Sequence, residues 1–229
     1  MVKNKVDFEC SYCHKKFKRE RTLESHACEP RRRTRNKNEK QVIIAFDTFK
    51  KFYSYAQGSS GKRKTFQDFI GSAYYTAFIA FGLYCFDTRV ISVERYAEYL
   101  IKREVPIKYW PMDKTYIKFL EYFIQIEPVA DALTRSIEYG IKWGTENEEK
   151  SHDFFRKASV SRISQALSYG RISPWVLYQS DSGRDFLVGP HYANQSYWGM
   201  IDPDSWSTKF DKNKEDVKFA KSILTLGGW

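Results

Sequence analysis

The stretch that decides the fold of the N-terminal region is FECSYCHKKFKRERTLESHAC, residues 8–28. Two residues separate Cys10 from Cys13, twelve lead from Cys13 to His26, and Cys28 follows after one more. Three thiols and one imidazole at short spacing suit a tetrahedral Zn²⁺ ion. The sequence therefore predicts zinc as cofactor, with Cys10, Cys13, His26 and Cys28 as its ligands.

Two apolar residues within this stretch indicate its fold. Phe17 lies four residues after Cys13, and Leu23 lies three residues before His26. Up to His26 the stretch resembles a ββα finger of the C2H2 family. It departs from that family at its end, because the family places its last ligand three to five residues after the histidine. Residues i and i+2 do not share a helical face, so we expect the helix to end near His26. His14 is a spare ligand candidate.

Two other interpretations of the cysteines are a disordered basic tail with free thiols and a disulfide. Three of the four cysteines fall in this one motif. No apolar signal sequence follows Met1, which points to an intracellular protein in a reducing compartment and against a disulfide. We favour the metal site. So short a unit cannot bury enough surface to fold alone, and zinc would supply the missing free energy.

The charge of the chain is concentrated near this motif. The net charge is +10, and residues 1–40 contain thirteen Lys or Arg against six Asp or Glu. Such an asymmetry is typical of proteins that bind polyanions. We expect the partner to be nucleic acid, DNA in preference to RNA. No apolar run approaches the ~20 residues that span a bilayer, so we expect no membrane partner.

The predicted organisation has three parts. They are a zinc finger at residues 1–29, a basic linker at residues 30–40 and an α-helical domain at residues 41–229. The linker is polar and charged throughout. It is either a solvated tether or an arm that orders on phosphate, and we favour the arm because it adjoins the finger. Its predicted phosphate contacts are Arg31, Arg32, Arg33 and Arg35.

The rest of the chain shows helical periodicity without an alternating strand pattern, so the fold class is mainly α. A helix with one apolar face starts near Glu39 and ends before the flexible basic loop at residues 58–64. Thr65 and Asp68 have the spacing of a capping box, and the helix or helix pair that follows is expected to be buried, with Cys85 as a core thiol. We expect further helices at about 152–168 and from Pro174 to about 187, a loop at 189–207, and a last helix at 213–225.

The finger can be aligned for base contacts on Phe17, Leu23 and His26. The positions that face the major groove in DNA-binding ββα fingers are then Arg19, Arg21, Thr22 and Ser25. A single finger covers about 3 bp, too few for specificity alone. Single fingers also serve as protein-binding modules, which remains an alternative.

Enzymatic motifs are not recognisable in the sequence. No nucleophile elbow, zinc-protease helix, paired-carboxylate metal motif or dinucleotide fingerprint occurs, and no catalytic residue is predicted. His191 is an isolated histidine without an identifiable partner. A helix, a short turn at Gly170 and a second helix with Arg171 and Ser173 at its start are compatible with a helix-turn-helix, but we favour an ordinary helical corner.

The whole chain is also similar to the small zinc-finger proteins of T-even-type tailed bacteriophages. The similarity lies in the finger at residues 10–28, the arginine run after it, and residues 170–177 and 201–206. It implies a role in phage DNA or transcription metabolism, and the cytoplasm of the host cell as location.

The leading hypothesis is a non-enzymatic, zinc-binding accessory protein whose finger and arm bind nucleic acid while the helical domain engages a partner. The first alternative is an adaptor whose finger docks on a replication or transcription protein. The second is a nuclease or nucleic-acid-modifying enzyme with its site in the helical domain.

Overall fold

The computed structural model describes residues 8–58, 62–189 and 198–229. It divides into two compact units that meet in sequence at Met112 and Asp113. A two-stranded antiparallel sheet near the N-terminus is the only sheet in the described residues, and helices make up most of the remainder. The prediction of a mainly α chain with a small N-terminal hairpin is confirmed. Within the described ranges, no helix combines the length and apolarity that crossing a bilayer requires.

The first unit contains the hairpin and six α-helices among its described residues. Their bounds are β1 Phe8–Glu9, β2 Lys16–Phe17, α1 Glu20–Glu24, α2 Glu29–Arg35, α3 Lys40–Gln57, α4 Phe66–Ile70, α5 Tyr75–Thr88 and α6 Val93–Lys102, with a 3-10 turn at Ile107–Tyr109.

Aromatic side chains form the core between α3, α4 and α5. The Phe49 ring lies 5.2 Å from that of Phe69 and 5.4 Å from that of Phe78, edge to face in the second pair. Trp110 packs edge-on against Phe78 and Phe81 at 5.9 and 5.3 Å. All five side chains are buried. Much of the aromatic content of this unit therefore stabilises its fold, since aromatic pairs add to the free energy of burial.

Gly82 sets the approach of α5 to α3, and its replacement should destabilise the unit. A Cβ at this position would lie 2.2 Å from the Gln41 carbonyl oxygen and 3.1 Å from the Ala45 Cβ. Although alanine favours a helix by ~1 kcal/mol over glycine, we expect Gly82→Ala to lower the free energy of unfolding by about 1–3 kcal/mol, because the helices must separate. Urea denaturation followed by circular dichroism measures this.

Gly71→Ala is the matched control, since that residue ends α4 with a negative φ of −85°. A Cβ there would lie 3.3 Å from the Gln67 carbonyl oxygen, a contact that a small shift relieves. We expect a change within about 0.5 kcal/mol. Equal stability of Gly82→Ala and the unchanged protein would contradict the close helix packing.

The expected helix starts in this unit are largely confirmed. Thr65 accepts a hydrogen bond from the Asp68 backbone, and the Asp68 carboxylate accepts one from the Thr65 N–H at 2.7 Å, which is a complete capping box. The following helices are a pair, α4 and α5, rather than one. Cys85 is a core thiol as predicted, and burial raises its pKa far above the usual value. Of the predicted basic loop at residues 58–64, residues 59–61 lie outside the described part.

The second unit contains α-helices throughout its described length. Their bounds are α7 Asp113–Ile126, α8 Val129–Asn147, α9 Phe154–Lys157, α10 Val160–Ser168, α11 Pro174–Gln179, α12 Asp181–Leu187, α13 Trp198–Ile201, α14 Pro203–Lys212 and α15 Lys214–Leu226, with a 3-10 turn at Ser151–Asp153.

Several predicted boundaries in this unit are wrong. The expected helix at 152–168 is interrupted, because Ser159 caps a new helix by accepting the Arg162 N–H. The helix from Pro174 ends at Gln179, where Ser180 caps α12. The expected loop at 189–207 contains α13 and the first half of α14. Asp202 caps α14 by accepting the Ser205 N–H at 2.8 Å. The last helix is confirmed as α15; His191 lies outside the described residues.

Helix α11 shows that residues 170–175 form an ordinary corner. Its residues Pro174, Trp175, Val176 and Leu177 are all buried. Trp175 packs against Trp206 and Phe210 at ring distances of 5.9 and 5.0 Å. A recognition helix must expose a face to the major groove. The burial of α11 therefore excludes its use as such a helix in this fold.

Candidate metal centre

The β1–β2 hairpin positions the first two cysteines. Phe8 pairs with Phe17 and Glu9 pairs with Lys16. Beyond the strands, the Cys10 N–H donates to the Lys15 carbonyl at 3.0 Å. The turn is closed by a left-handed residue, His14, with φ of +57°. The chain thus reverses directly after Cys13 and brings both thiols to one side.

A short helix and the start of the next position the other two ligands. Helix α1 ends at Glu24, and the His26 N–H donates to the Leu23 carbonyl at 3.1 Å in a tightened turn. The expectation that the helix ends near His26 is confirmed. Cys28 has extended backbone angles and immediately precedes α2, whose Arg32 N–H donates to the Cys28 carbonyl at 3.0 Å.

The four ligand atoms converge. The sulfurs of Cys10, Cys13 and Cys28 and one ring nitrogen of His26 all lie within 4.8 Å of one another. The Cys10 and Cys28 sulfurs are 3.9 Å apart, and the Cys13 sulfur lies 3.2 Å from His26 Nε2. Tetrahedral zinc, with bonds of about 2.3 Å to sulfur and 2.0–2.1 Å to nitrogen, requires separations of about 3.8 and 3.5 Å. The cluster is therefore compatible with a zinc-finger-like metal site.

Backbone amides tune the two hairpin thiols. Hydrogen bonds from the Tyr12 and Cys13 backbone lower the pKa of Cys10 to about 7. A hydrogen bond from the Lys15 backbone lowers the pKa of Cys13, but burial and the neighbouring sulfurs of Cys10 and Cys28 outweigh it and raise that pKa overall. The thiolate is the form that binds metal. The lowered pKa of Cys10 therefore favours the form of this side chain that binds a cation.

His14 is not part of the cluster. Its Nδ1 lies 2.9 Å from a carboxylate oxygen of Glu9, and its side chain is 77% exposed. His26 instead packs its ring against Phe17, with centroids 4.7 Å apart. The apolar Phe17 contact orients the imidazole, so the pattern residue that suggested a ββα finger also positions a ligand.

The residues predicted to contact bases lie on or beside α1. Arg19, Arg21, Thr22 and Ser25 are all exposed. The Ser25 hydroxyl donates to the Arg21 and Thr22 carbonyls at 3.0 and 3.3 Å, so it caps the end of the helix. Arg19 is the residue before α1 and Arg21 lies in its first turn, and the exposure of both side chains leaves their guanidinium groups available to a ligand.

The predicted arginine arm has a different form. Residues 30–35 of the predicted linker belong to helix α2, Glu29–Arg35. Arg31 donates to the His26 carbonyl at 2.9 Å and so braces the backbone beside a metal ligand. Arg33 donates to the Ile70 carbonyl at 2.5 Å and lies 4.1 Å over the Tyr75 ring, which fixes α2 to α4 and α5. These two guanidinium groups are engaged by the protein itself.

The other two arginines of the run face solvent. Arg32 is 73% exposed and pairs with Glu29 at 2.7 Å, and Arg35 is exposed. The anchoring roles of Arg31 and Arg33 were not predicted from the sequence. The signals for a helix were present, because Pro30 falls in the first turn after Cys28 and Glu29 lies four residues before Arg33.

No family model, curated protein or solved structure matches this chain.

Proposed function

We propose that this protein is a zinc-binding accessory factor that holds nucleic acid, DNA in preference to RNA, through its finger. The observation that carries the proposal is the convergence of Cys10, Cys13, His26 and Cys28 within 4.8 Å beside exposed arginines. Tetrahedral sites with three sulfurs and one nitrogen favour zinc over the harder divalent ions. Four protein ligands would close the coordination shell, so the ion would be structural.

The charge around the finger supports a phosphate partner. Arg19 immediately precedes α1 and Arg21 lies on it, while Arg32 and Arg35 lie on α2, the next helix of the same unit; all four are exposed. Arg31 and Arg33 are held by contacts within the protein. The proposed contact surface therefore consists of the four exposed arginines named above. A single finger spans about 3 bp, so these side chains would mainly grip the backbone and confer little sequence specificity. A role in phage DNA or transcription metabolism fits this mode of binding.

Nucleic-acid binding should depend steeply on salt and on the exposed arginines. We expect the combined variant Arg19→Gln, Arg21→Gln and Arg35→Gln to weaken binding to a labelled 20-bp DNA uniformly across sequences. Each lost phosphate contact should reduce the slope of log K against log[salt] by about 1, because fewer counterions are released. Fluorescence anisotropy of the zinc-loaded protein over a salt series measures both quantities.

The control is a variant with the same charge change in the second unit, Lys212→Gln, Lys214→Gln and Lys221→Gln. All three lysines are exposed. It should retain the salt slope of the unchanged protein. If the zinc-loaded protein does not bind DNA or RNA at low salt, the proposal is wrong and a protein-docking adaptor becomes the better hypothesis. Incubating the same DNA with Mg²⁺ tests the nuclease alternative directly.

A further inference from the structure

A second basic feature of the first unit is a pocket remote in sequence from the finger. It has a volume of about 460 Å³ and is lined by one face of α3, with Lys50, Lys51, Ser54 and Gln57, and by residues 62–64. The α3 residues fall at spacings of one, four and seven from the first, so they form one stripe of the helix. Residues 62–64 are Lys, Arg and Lys, which brings five cationic side chains to one concavity.

Among the residues that the structure describes, no carboxylate lines this pocket. The two α3 lysines have acidic partners outside it: Lys50 pairs with Asp47 at 2.7 Å, and Lys51 pairs with Glu98 and Glu94 at 2.7 and 2.9 Å. Those pairs hold the α3 lysines in place.

The three cationic residues at 62–64 have a different environment. In the described ranges no carboxylate lies within ion-pair distance of Lys62, Arg63 or Lys64, and Lys64 contacts the Tyr53 ring at 4.9 Å. The nearest acidic influence is Asp68 at the start of α4, whose pKa is lowered chiefly by hydrogen bonds from Thr65 and to a smaller extent by Lys64 and Lys62, so it offsets only part of their charge. Neighbouring like charges repel, and a concave surface concentrates their field. An anion in the pocket would reduce this repulsion.

We propose that this pocket binds a phosphate group, carried either by a nucleic-acid strand or by a free nucleotide. Phosphate offers several oxygen acceptors to converging donors, and Lys and Arg are its usual protein partners. Ser54 and Gln57 add a hydroxyl and an amide donor to the same wall. The volume lies within the ~300–1,000 Å³ typical of small-ligand pockets, which is room for a nucleotide as well as its phosphates.

This pocket does not depend on the proposed function of the finger, since its lining contains no residue of the metal centre or of α1. A nucleic-acid strand bound here would add a second phosphate contact to the first unit. A free nucleotide would give the protein a ligand that the finger does not predict.

The test compares three full-length, zinc-loaded proteins: the unchanged chain, Lys62→Gln with Arg63→Gln and Lys64→Gln, and the Lys212, Lys214 and Lys221 control. Lys62 and Arg63 are exposed and Lys64 is half-buried, so glutamine should leave the fold intact. The probes are a fluorescein-labelled 20-nucleotide DNA strand and a fluorescent ATP analogue, each titrated at low salt, with inorganic phosphate as competitor. We expect the pocket variant to lose about tenfold or more in affinity for at least one probe, and the control to lose none.

The outcomes separate the two sources of phosphate. A loss confined to the ATP analogue identifies a free nucleotide, and a loss confined to the DNA strand identifies nucleic acid. Equal affinities in the unchanged and pocket-variant proteins, or an equal loss in the control, would overturn the proposal. The arginine variant of the finger tells the two hypotheses apart: it should weaken DNA binding without affecting the ATP analogue, whatever the pocket binds.

Discussion

Replacing His26 with alanine is expected to abolish stoichiometric zinc binding and to unfold residues 8–28, whereas replacing His14 with alanine should do neither. Within residues 8–28, Cys10 alone is buried, and α1 contains no buried residue. The finger therefore has little apolar core, and its stability would come from the metal. Structural zinc in such units supplies about 10–16 kcal/mol at neutral pH, far more than any side-chain contact in this chain.

The two histidines form a matched pair for this experiment. They lie in the same finger, but His26 faces three sulfurs and His14 faces Glu9. Metal content by mass spectrometry gives the stoichiometry. Absorption of the Co²⁺-loaded protein reports the number of thiolates, and hydrogen exchange reports whether residues 8–28 are folded. Loss of metal from the His14 variant, or full metal in the His26 variant, would refute the ligand assignment.

Cys28→Ser tests the unusual fourth ligand in the same assays. Its sulfur lies 3.9 Å from that of Cys10, across one edge of the cluster. We expect the variant to lose stoichiometric zinc. A Co²⁺ spectrum with an unchanged number of thiolates in this variant would mean that another group completes the site.

The convergence of Cys10, Cys13, His26 and Cys28 could be predicted from their spacing, because the chemistry of a metal site restricts how such residues are arranged. Four soft ligands within nineteen residues leave few ways to surround one ion. The end of α1 before His26 also followed, since two residues do not span a helical turn. The position of His14 could not be predicted from the spacing. Its left-handed backbone conformation, which directs it away from the cluster, has no signal in the motif.

Helix boundaries in the second unit were less predictable because apolar periodicity continues across the breaks. Ser159, Ser180 and Asp202 each interrupt an otherwise regular pattern by accepting a backbone N–H of the next helix. Such residues are good caps, but they also occur on exposed helix faces. Only the packing of the shorter helices decides between the two roles.

The basic pocket could not be predicted from the sequence, for a different reason. In the sequence, Lys50 and Lys51 belong to an amphipathic helix, while residues 62–64 have the composition of an ordinary charged loop. Each charge group alone is unremarkable on a protein surface. Their meaning depends on the fold bringing both groups to one concavity, a juxtaposition that no local pattern encodes.

Replacing Arg135 with alanine is expected to lower the free energy of unfolding of the second unit by about 3 kcal/mol. Its guanidinium binds the Glu127 carboxylate with two hydrogen bonds of 2.5 and 2.7 Å, and it donates to the Gly170 carbonyl at 2.8 Å. The Glu127 side chain is fully buried. Breaking a buried pair costs about 3–5 kcal/mol because one charge is left without a partner. We expect the lower end, since the Lys209 ammonium also interacts with Glu127.

The position of the pair explains why the effect should reach beyond two side chains. Glu127 lies between α7 and α8, Arg135 lies on α8, and Gly170 lies in the turn before α11. The next residue of α8, Ser136, accepts the Ser173 N–H at 2.8 Å. Consecutive α8 residues therefore fix the turn that leads into buried α11, and loss of Arg135 should loosen that connection.

Urea denaturation followed by tryptophan fluorescence measures the loss, because five of the six tryptophans belong to the second unit. Arg162→Ala is the matched control: its pair with Glu146 is 3.6 Å long and exposed, so its removal should change the free energy by less than about 1 kcal/mol. The double variant Glu127→Leu and Arg135→Met should recover most of the loss, because it removes both buried charges together. If Arg135→Ala is no more destabilising than Arg162→Ala, the pair does not hold the α8–α11 connection. If the double variant is less stable than Arg135→Ala, the unpaired Glu127 carboxylate does not cause the loss of stability.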